Sequence, residues 1–159
     1  MLTLTRKTEY GLIALTHMAI GPEGLSSARE IAGRYEVPLA LLMNVLKQLA
    51  QGEIIRSVRG PQGGYSLALP PDKITLLSVF RAIEGPVHLT YCSGLQDLDC
   101  NQNGDKKKRC QIMGNCPVGA SIREVDGRLT EFLESITLAD IIEHKTVARS
   151  TADLVENKT

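Results

Sequence analysis

The chain has 159 residues, of which 43% are hydrophobic and 23% charged, enough apolar material for a core and not the make-up of a disordered chain. Trp is absent and aromatics make up 4%, which leaves packing to Leu, Ile, Val and Ala and favours helices. A net charge of zero, with seven Lys/Arg against five Asp/Glu in residues 1–70 and eleven against thirteen in 71–159, excludes a strongly basic general nucleic-acid binder.

Met1 to Ile20 is interrupted by Arg6, Lys7, Glu9 and His17 before about 18 apolar residues can accumulate. Neither a signal peptide nor a membrane span is therefore expected, and a reducing cytoplasm is. In that compartment Cys92, Cys100, Cys110 and Cys116 read as metal ligands or redox-active thiols rather than structural disulfides.

In chain order, Leu12, Ile13, Leu15, Ala19 and Ile20 form a stripe that predicts a helix over 8–20, stopped by Gly21-Pro22. Ser27 and Glu30 have the spacing of a capping box and open a short helix to about Tyr35. Pro38 suits the first turn of a third helix, where a missing N–H costs nothing, and Leu39, Leu42, Leu46 and Leu49 carry it to Gly52. The period then changes: Ile54 to Val58 and Tyr65 to Leu69 alternate as two strands joined by Arg59-Gly60-Pro61-Gln62-Gly63-Gly64. Three helices and a glycine-rich hairpin predict a mainly α fold with a small β-hairpin wing. In such a winged helix-turn-helix the third helix enters the major groove of DNA and the hairpin reaches for the backbone or minor groove.

Thr75 caps a fourth helix that ends near Gly85-Pro86. From there to Cys116 the periodicity disappears, in a segment rich in Gly, Asn, Asp, Gln and Lys that holds all four cysteines. A long structureless segment is usually functional or disordered, and the cysteines mark this one as a site. Pro117 restarts a helix in which Val118, Ile122, Val125, Leu129, Phe132 and Ile136 follow at spacings of 4, 3, 4, 3 and 4, as in a coiled-coil seam. Arg123, Glu124, Asp126, Arg128, Glu131 and Glu134 fall on the opposite face. Pairing with a second copy in a homodimer is expected, the plainer alternative being that the seam packs on the chain's own core. Thr137 and Asp140 form a second capping box before Leu138 to Ile142, and the tail beyond Lys145 is polar. The expected divisions are a winged-helix DNA-binding domain at 1–85, a cysteine-bearing loop at 86–116, a dimerisation helix and short terminal helix at 117–144, and a polar tail at 145–159.

The wing is the most specific segment. Gly60, Gly63 and Gly64 let backbone approach phosphates, Pro61 stiffens the tip, and Arg59 can enter a narrow minor groove. Any tight hairpin favours glycine, but three glycines, a proline and an arginine exceed what a turn requires. Lys106-Lys107-Lys108-Arg109, before Cys110, would favour a thiolate and offset a cluster's negative charge, or is simply a solvated charge run.

The wing Val58 to Tyr65 is close to diagnostic. With Leu4-Thr5, Tyr10, Ile31-Ala32, Leu129-Thr130-Glu131-Phe132-Leu133 and Ile136-Thr137-Leu138, the chain resembles the winged-helix iron-sulfur transcription regulators. The resemblance covers nearly the whole chain. It implies a homodimer on a near-palindromic double-stranded DNA operator, with cluster state altering DNA affinity or preference. The family's base-reading positions fall at the start of the third helix, here Pro38-Leu39-Ala40-Leu41-Leu42-Met43-Asn44. Members commonly carry Ser, Tyr and Glu where this chain has Ala40, Leu41 and Met43, so a different target is expected. The candidate DNA contacts are Ser27, Leu39, Ala40, Met43, Asn44, Lys47, Arg56, Arg59, Gly60, Gln62, Gly63 and Gly64, many of them positioning rather than specifying contacts. Lys47 and Arg56 have solvated surface as an equal alternative.

The family's cluster loop has three cysteines at intervals near five, whereas here the intervals are Cys92-x7-Cys100-x9-Cys110-x5-Cys116. The resemblance puts Cys110 and Cys116 on the last two family cysteines and leaves Cys92 or Cys100 as the third. Some members add a His three residues after the last cysteine, a position that is Gly119 here. All four thiolates can hold a 2Fe-2S or 4Fe-4S cluster. Glu9 matches a position from which a member offers a partner-subunit carboxylate, and His88 is a weaker option. Glu9 also reads as a favourable charge in a first helical turn.

A cluster-free thiol switch is the alternative within regulation. Structural zinc is disfavoured because ligand pairs two to four residues apart are missing. An electron-transfer protein has no use for such a wing. No enzyme is expected, since neither a nucleophile-base pair nor a phosphate-binding loop is visible.

Overall fold

The structure, a computed structural model, describes residues 5–21, 24–60, 63–89 and 115–143. Gln62, Cys92, Cys100, Cys110, the cationic run 106–109 and the tail from 145 lie outside the described residues.

Helix α1 (Arg6–Ile20) starts at Thr5, whose hydroxyl accepts from the Thr8 amide. The expected capping box opens α2 (Ala28–Tyr35): Ser27 accepts from the Glu30 amide and Glu30 accepts from the Ser27 amide. This helix ends at Glu36 in the left-handed region, φ 54°, a conformation that costs any residue with a Cβ and turns the chain sharply into buried Val37. Pro38 is the N-cap of α3 (Leu39–Gln51) rather than a residue of its first turn. Strands β1 (Ile55–Val58) and β2 (Gly64–Leu67) pair antiparallel, Ile55 opposite Leu67 and Val58 opposite Gly64.

A 3-10 turn at Pro71–Lys73 leads to α4 (Leu76–Glu84), capped by Thr75. Helix α5 (Gly119–Ser135) and short α6 (Leu138–Ile142) complete the order. Leu15, Ile31, Leu42, Leu46, Leu49 and Ile74 are fully or almost fully buried, so α1 to α4 and the base of the hairpin share one core, closed by Leu138 of α6. Truncating one of these leucines to Ala would cost about 2–5 kcal/mol.

Two short bridges organise the rest. Ser26, just before α2, exchanges both backbone hydrogen bonds with Tyr65 of β2 at 2.9 and 2.8 Å, seating the hairpin against the start of α2. Thr75 and Thr137, the N-caps of α4 and α6, form the second bridge through Leu76 N to Ile136 O at 2.8 Å and Leu138 N to Ile74 O at 2.7 Å.

The faces of α5 differ from the expected pattern. Asp126, expected on the polar side, is buried at 9% exposure, and Leu133, outside the seam, is buried too. Ile136 is buried and caps the helix end instead of continuing the seam. Val118, Val125 and Phe132 remain exposed at 57%, 50% and 45%, while Ile122 and Leu129 are half-buried between the two sides. One flank of this helix therefore packs on the chain's own core, where α5 meets α4, and an apolar ridge faces outward. Among the described residues no helix is long and apolar enough to cross a membrane.

Candidate nucleic-acid interface and cysteine site

The turn from α2 to α3 sets the outward face of α3. Leu42, Val45, Leu46 and Leu49 point into the core, which leaves Ala40, Met43, Asn44 and Lys47 exposed at helical spacing on the other side. Leu39 is half-buried and packs against the core, contributing backing rather than open surface.

The first strand of the wing packs against α3. Arg56, Ser57, Val58, Arg59 and Gly60 are exposed. Gly60 has φ 134°, a region closed to ordinary L side chains, and accepts from the Gly63 amide at 2.9 Å to close the tip. A Cβ on Gly64 would stand 2.6 Å from the Ser26 carbonyl oxygen, so the close seating of the hairpin on the start of α2 requires glycine there. Arg56 donates to the Ala68 carbonyl at 3.3 Å across the hairpin base, while Arg59 extends from the exposed strand end.

The seat of α2 is itself braced. Buried His17 of α1 lies with Nδ1 3.3 Å from Tyr35 Oη and Nε2 3.4 Å from Glu30 Oε1, touching both ends of α2. Its ring meets that of Tyr35 edge-on, at 5.6 Å between centroids. Sequence reasoning missed His17 and Ser26. A histidine within an apolar stripe carries no mark of its partners, and a backbone bridge leaves no trace in side-chain pattern.

Cys116 is half-buried three residues before the first residue of α5, and its carbonyl accepts from the Gly119 amide at 3.4 Å. A Cβ on Gly119 would stand 3.5 Å from Cys116 Sγ and 3.3 Å from Arg123 Nη1, so thiol and guanidinium flank one point on the helix surface.

The N-terminal arm of the cysteine segment is fastened near its root. Asp126 of α5 accepts from the Leu89 amide at 2.6 Å, and its second oxygen lies 3.4 Å from His88 Nδ1. Carboxylate contact at Nδ1 is the arrangement in which an imidazole ligates metal through Nε2. Glu9 sits half-buried in the first turn of α1, 3.5 Å from Arg6. That turn is tied to the segment's root, because Thr5 and Thr8 both donate to Glu84 at the end of α4, Thr8 at 2.9 Å. Among the described residues no three His, Cys, Asp or Glu side chains converge as a metal site, so Glu9, His88 and Cys116 do not meet as one within the protomer.

A helix-turn-helix whose second helix offers an open face beside a braced hairpin defines a winged-helix DNA-binding regulator. The chain belongs to the Rrf2 family, described as iron-dependent transcriptional regulators, whose profile matches residues 4–144. It is 31% identical over 148 residues to the HTH-type transcriptional regulator IscR of Sodalis glossinidius, covering 91% of this chain and 81% of that one. Among solved structures it resembles CymR, the global cysteine regulator of B. subtilis, with TM-score 0.65 and 26% identity over 91% of this chain and 98% of that one. It also resembles IscR of T. potens, with TM-score 0.62 and 27% identity over 91% and 88%.

Proposed function

We propose that this transcriptional regulator acts in the cytoplasm as a homodimer on a near-palindromic DNA operator, its affinity set by an iron-sulfur cluster. The open face of α3 beside the seated wing carries the DNA-binding part of this reading. Asn44 would address base edges, Lys47, Arg59 and the Ser27 start of α2 would hold phosphates or the minor groove, and Gly60, Gln62, Gly63 and Gly64 would bring the wing backbone close to the duplex. Leu39, Ala40 and Met43 complete the surface that faces bases. Arg56, engaged with Ala68, would contribute charge rather than a specific contact.

Cys92, Cys100, Cys110 and Cys116 would hold the cluster, with Glu9 of a partner subunit or His88 as an added or replacement ligand. The thiol of Cys116 beside Arg123 and the fastening of the Leu89 arm to α5 support this assignment, as does the family's iron dependence. Bound there, the cluster would supply a redox- and ligand-sensitive group. The segment's root lies next to the first turn of α1, so losing the cluster would disturb the frame that carries α3. The exposed ridge of Val118, Val125 and Phe132 supports pairing of two copies through α5.

A second reading, a cluster-free thiol switch, draws on the likeness to the cysteine regulator CymR. Anaerobic purification with an absorption spectrum and iron and sulfide analysis separates the two. Brown dimeric protein is expected; colourless protein with zinc, or with DNA affinity that responds only to thiol oxidants, would overturn the cluster. For the DNA-binding part, Arg59→Ala should weaken operator binding by about 1–3 kcal/mol if Arg59 enters a groove. If it holds only a phosphate, the salt slope should fall by about 1 with sequence preference kept. Affinity and salt slope both unchanged would remove Arg59 from the interface.

A further inference from the structure

The outward face of α3 has an uneven chemistry. Near its start stand Ala40, without a polar atom, and Met43, 50% exposed with a flexible apolar side chain. Between them and the cation Lys47 stands Asn44, the one side chain of these four that both donates and accepts. Gln48, one position beyond, is turned inward and donates to the Ile83 carbonyl at 3.3 Å. The exposed start of α3 thus offers base edges one amide flanked by two apolar side chains.

Each base pair presents a distinct pattern in the major groove, and this face fits one of them. An amide pairs in two-point fashion with adenine N6 and N7, and an apolar side chain is matched by the 5-methyl group of thymine. Guanine, with two acceptors, calls for a donor-only side chain, which this face lacks at positions 40, 43 and 44. An exposed methionine costs apolar hydration until it meets an apolar partner, and thymine methyls are the apolar feature of the groove floor.

We infer that α3 selects an A·T-rich half-site, with Asn44 reading an adenine and Ala40 and Met43 each covering a thymine methyl, while Lys47 one turn further holds a phosphate. This rests on the DNA-binding reading above and specifies its target.

Selection of the full-length protein against a pool of random-sequence duplexes tests the inference. The expected half-site contains an adenine flanked by thymines. Replacing single thymines by deoxyuridine, which deletes only the methyl, should weaken binding roughly threefold to fourfold per covered methyl. Met43→Ala, an exposed change that leaves the core intact, should abolish that response at one thymine and leave it at the other. Asn44→Ala should relax the adenine preference by at least about fivefold. A G·C-rich enriched site, or equal responses to deoxyuridine in wild type and Met43→Ala, would overturn the inference while leaving DNA binding intact. No enrichment of any sequence would overturn both readings together.

Discussion

At the scale of single residues, the wing glycines separate two requirements that sequence alone merges. Gly60 answers to a dihedral, whereas Gly64 answers to space, since its Cα faces the Ser26 carbonyl with no room for a methyl group. Gly64→Ala should therefore unseat the hairpin, cost about 1–3 kcal/mol in urea unfolding, and lower operator affinity as the wing shifts. Unchanged stability and affinity would show that the seat adapts. The capping residues Ser27, Thr75 and Thr137 were legible because their chemistry is local, an oxygen three residues from an amide. Asp126 was not. Its spacing places it among charged neighbours, and only the fold brings the Leu89 amide and His88 against it.

At the scale of elements, the helices and the hairpin of the described residues follow from capping signals and apolar periodicity, with ends shifted by a residue or two. The helical period of α5 says that a stripe exists but not what covers it, because an aliphatic side chain suits the chain's own core and a partner equally well. The structure divides the stripe. Leu133→Ala should destabilise the protomer by about 2–5 kcal/mol, toward the lower end because 8% of the residue stays exposed. Phe132→Lys, on the exposed ridge, should leave the protomer folded and shift sedimentation from dimer to monomer. A dimer surviving Phe132→Lys would exclude the ridge from the interface.

At the scale of the whole molecule, α1 links the two candidate regions, since it packs on α3 and its first turn is tied through Glu84 to the root of the cysteine segment. Single substitutions at 9, 92, 100, 110 and 116, followed by anaerobic reconstitution, read out the ligand set. Loss of visible absorption in Cys110→Ala and Cys116→Ala is expected. Retention of a full cluster by Cys116→Ala would displace it from the site. If all four cysteine variants lose the cluster and Glu9→Ala keeps it, ligation is by thiolates alone. If Glu9→Ala loses it and Cys92 or Cys100 is dispensable, a carboxylate from the first turn of α1 completes the set.

The bridge between Thr75 and Thr137 bears on how such a protein can change over evolutionary time. It fastens the chain on both sides of the cysteine segment, so residues inserted among the cysteines themselves, outside α4 and α5, leave the hydrogen bonds around the bridge in place. Closing a longer flexible loop costs only about 0.6 kcal/mol per doubling of its length. Intervals of seven and nine residues between Cys92, Cys100 and Cys110 are thus compatible with an unchanged frame. The spacing of the cysteines can therefore change while the helices and hairpin held by the bridge stay as they are.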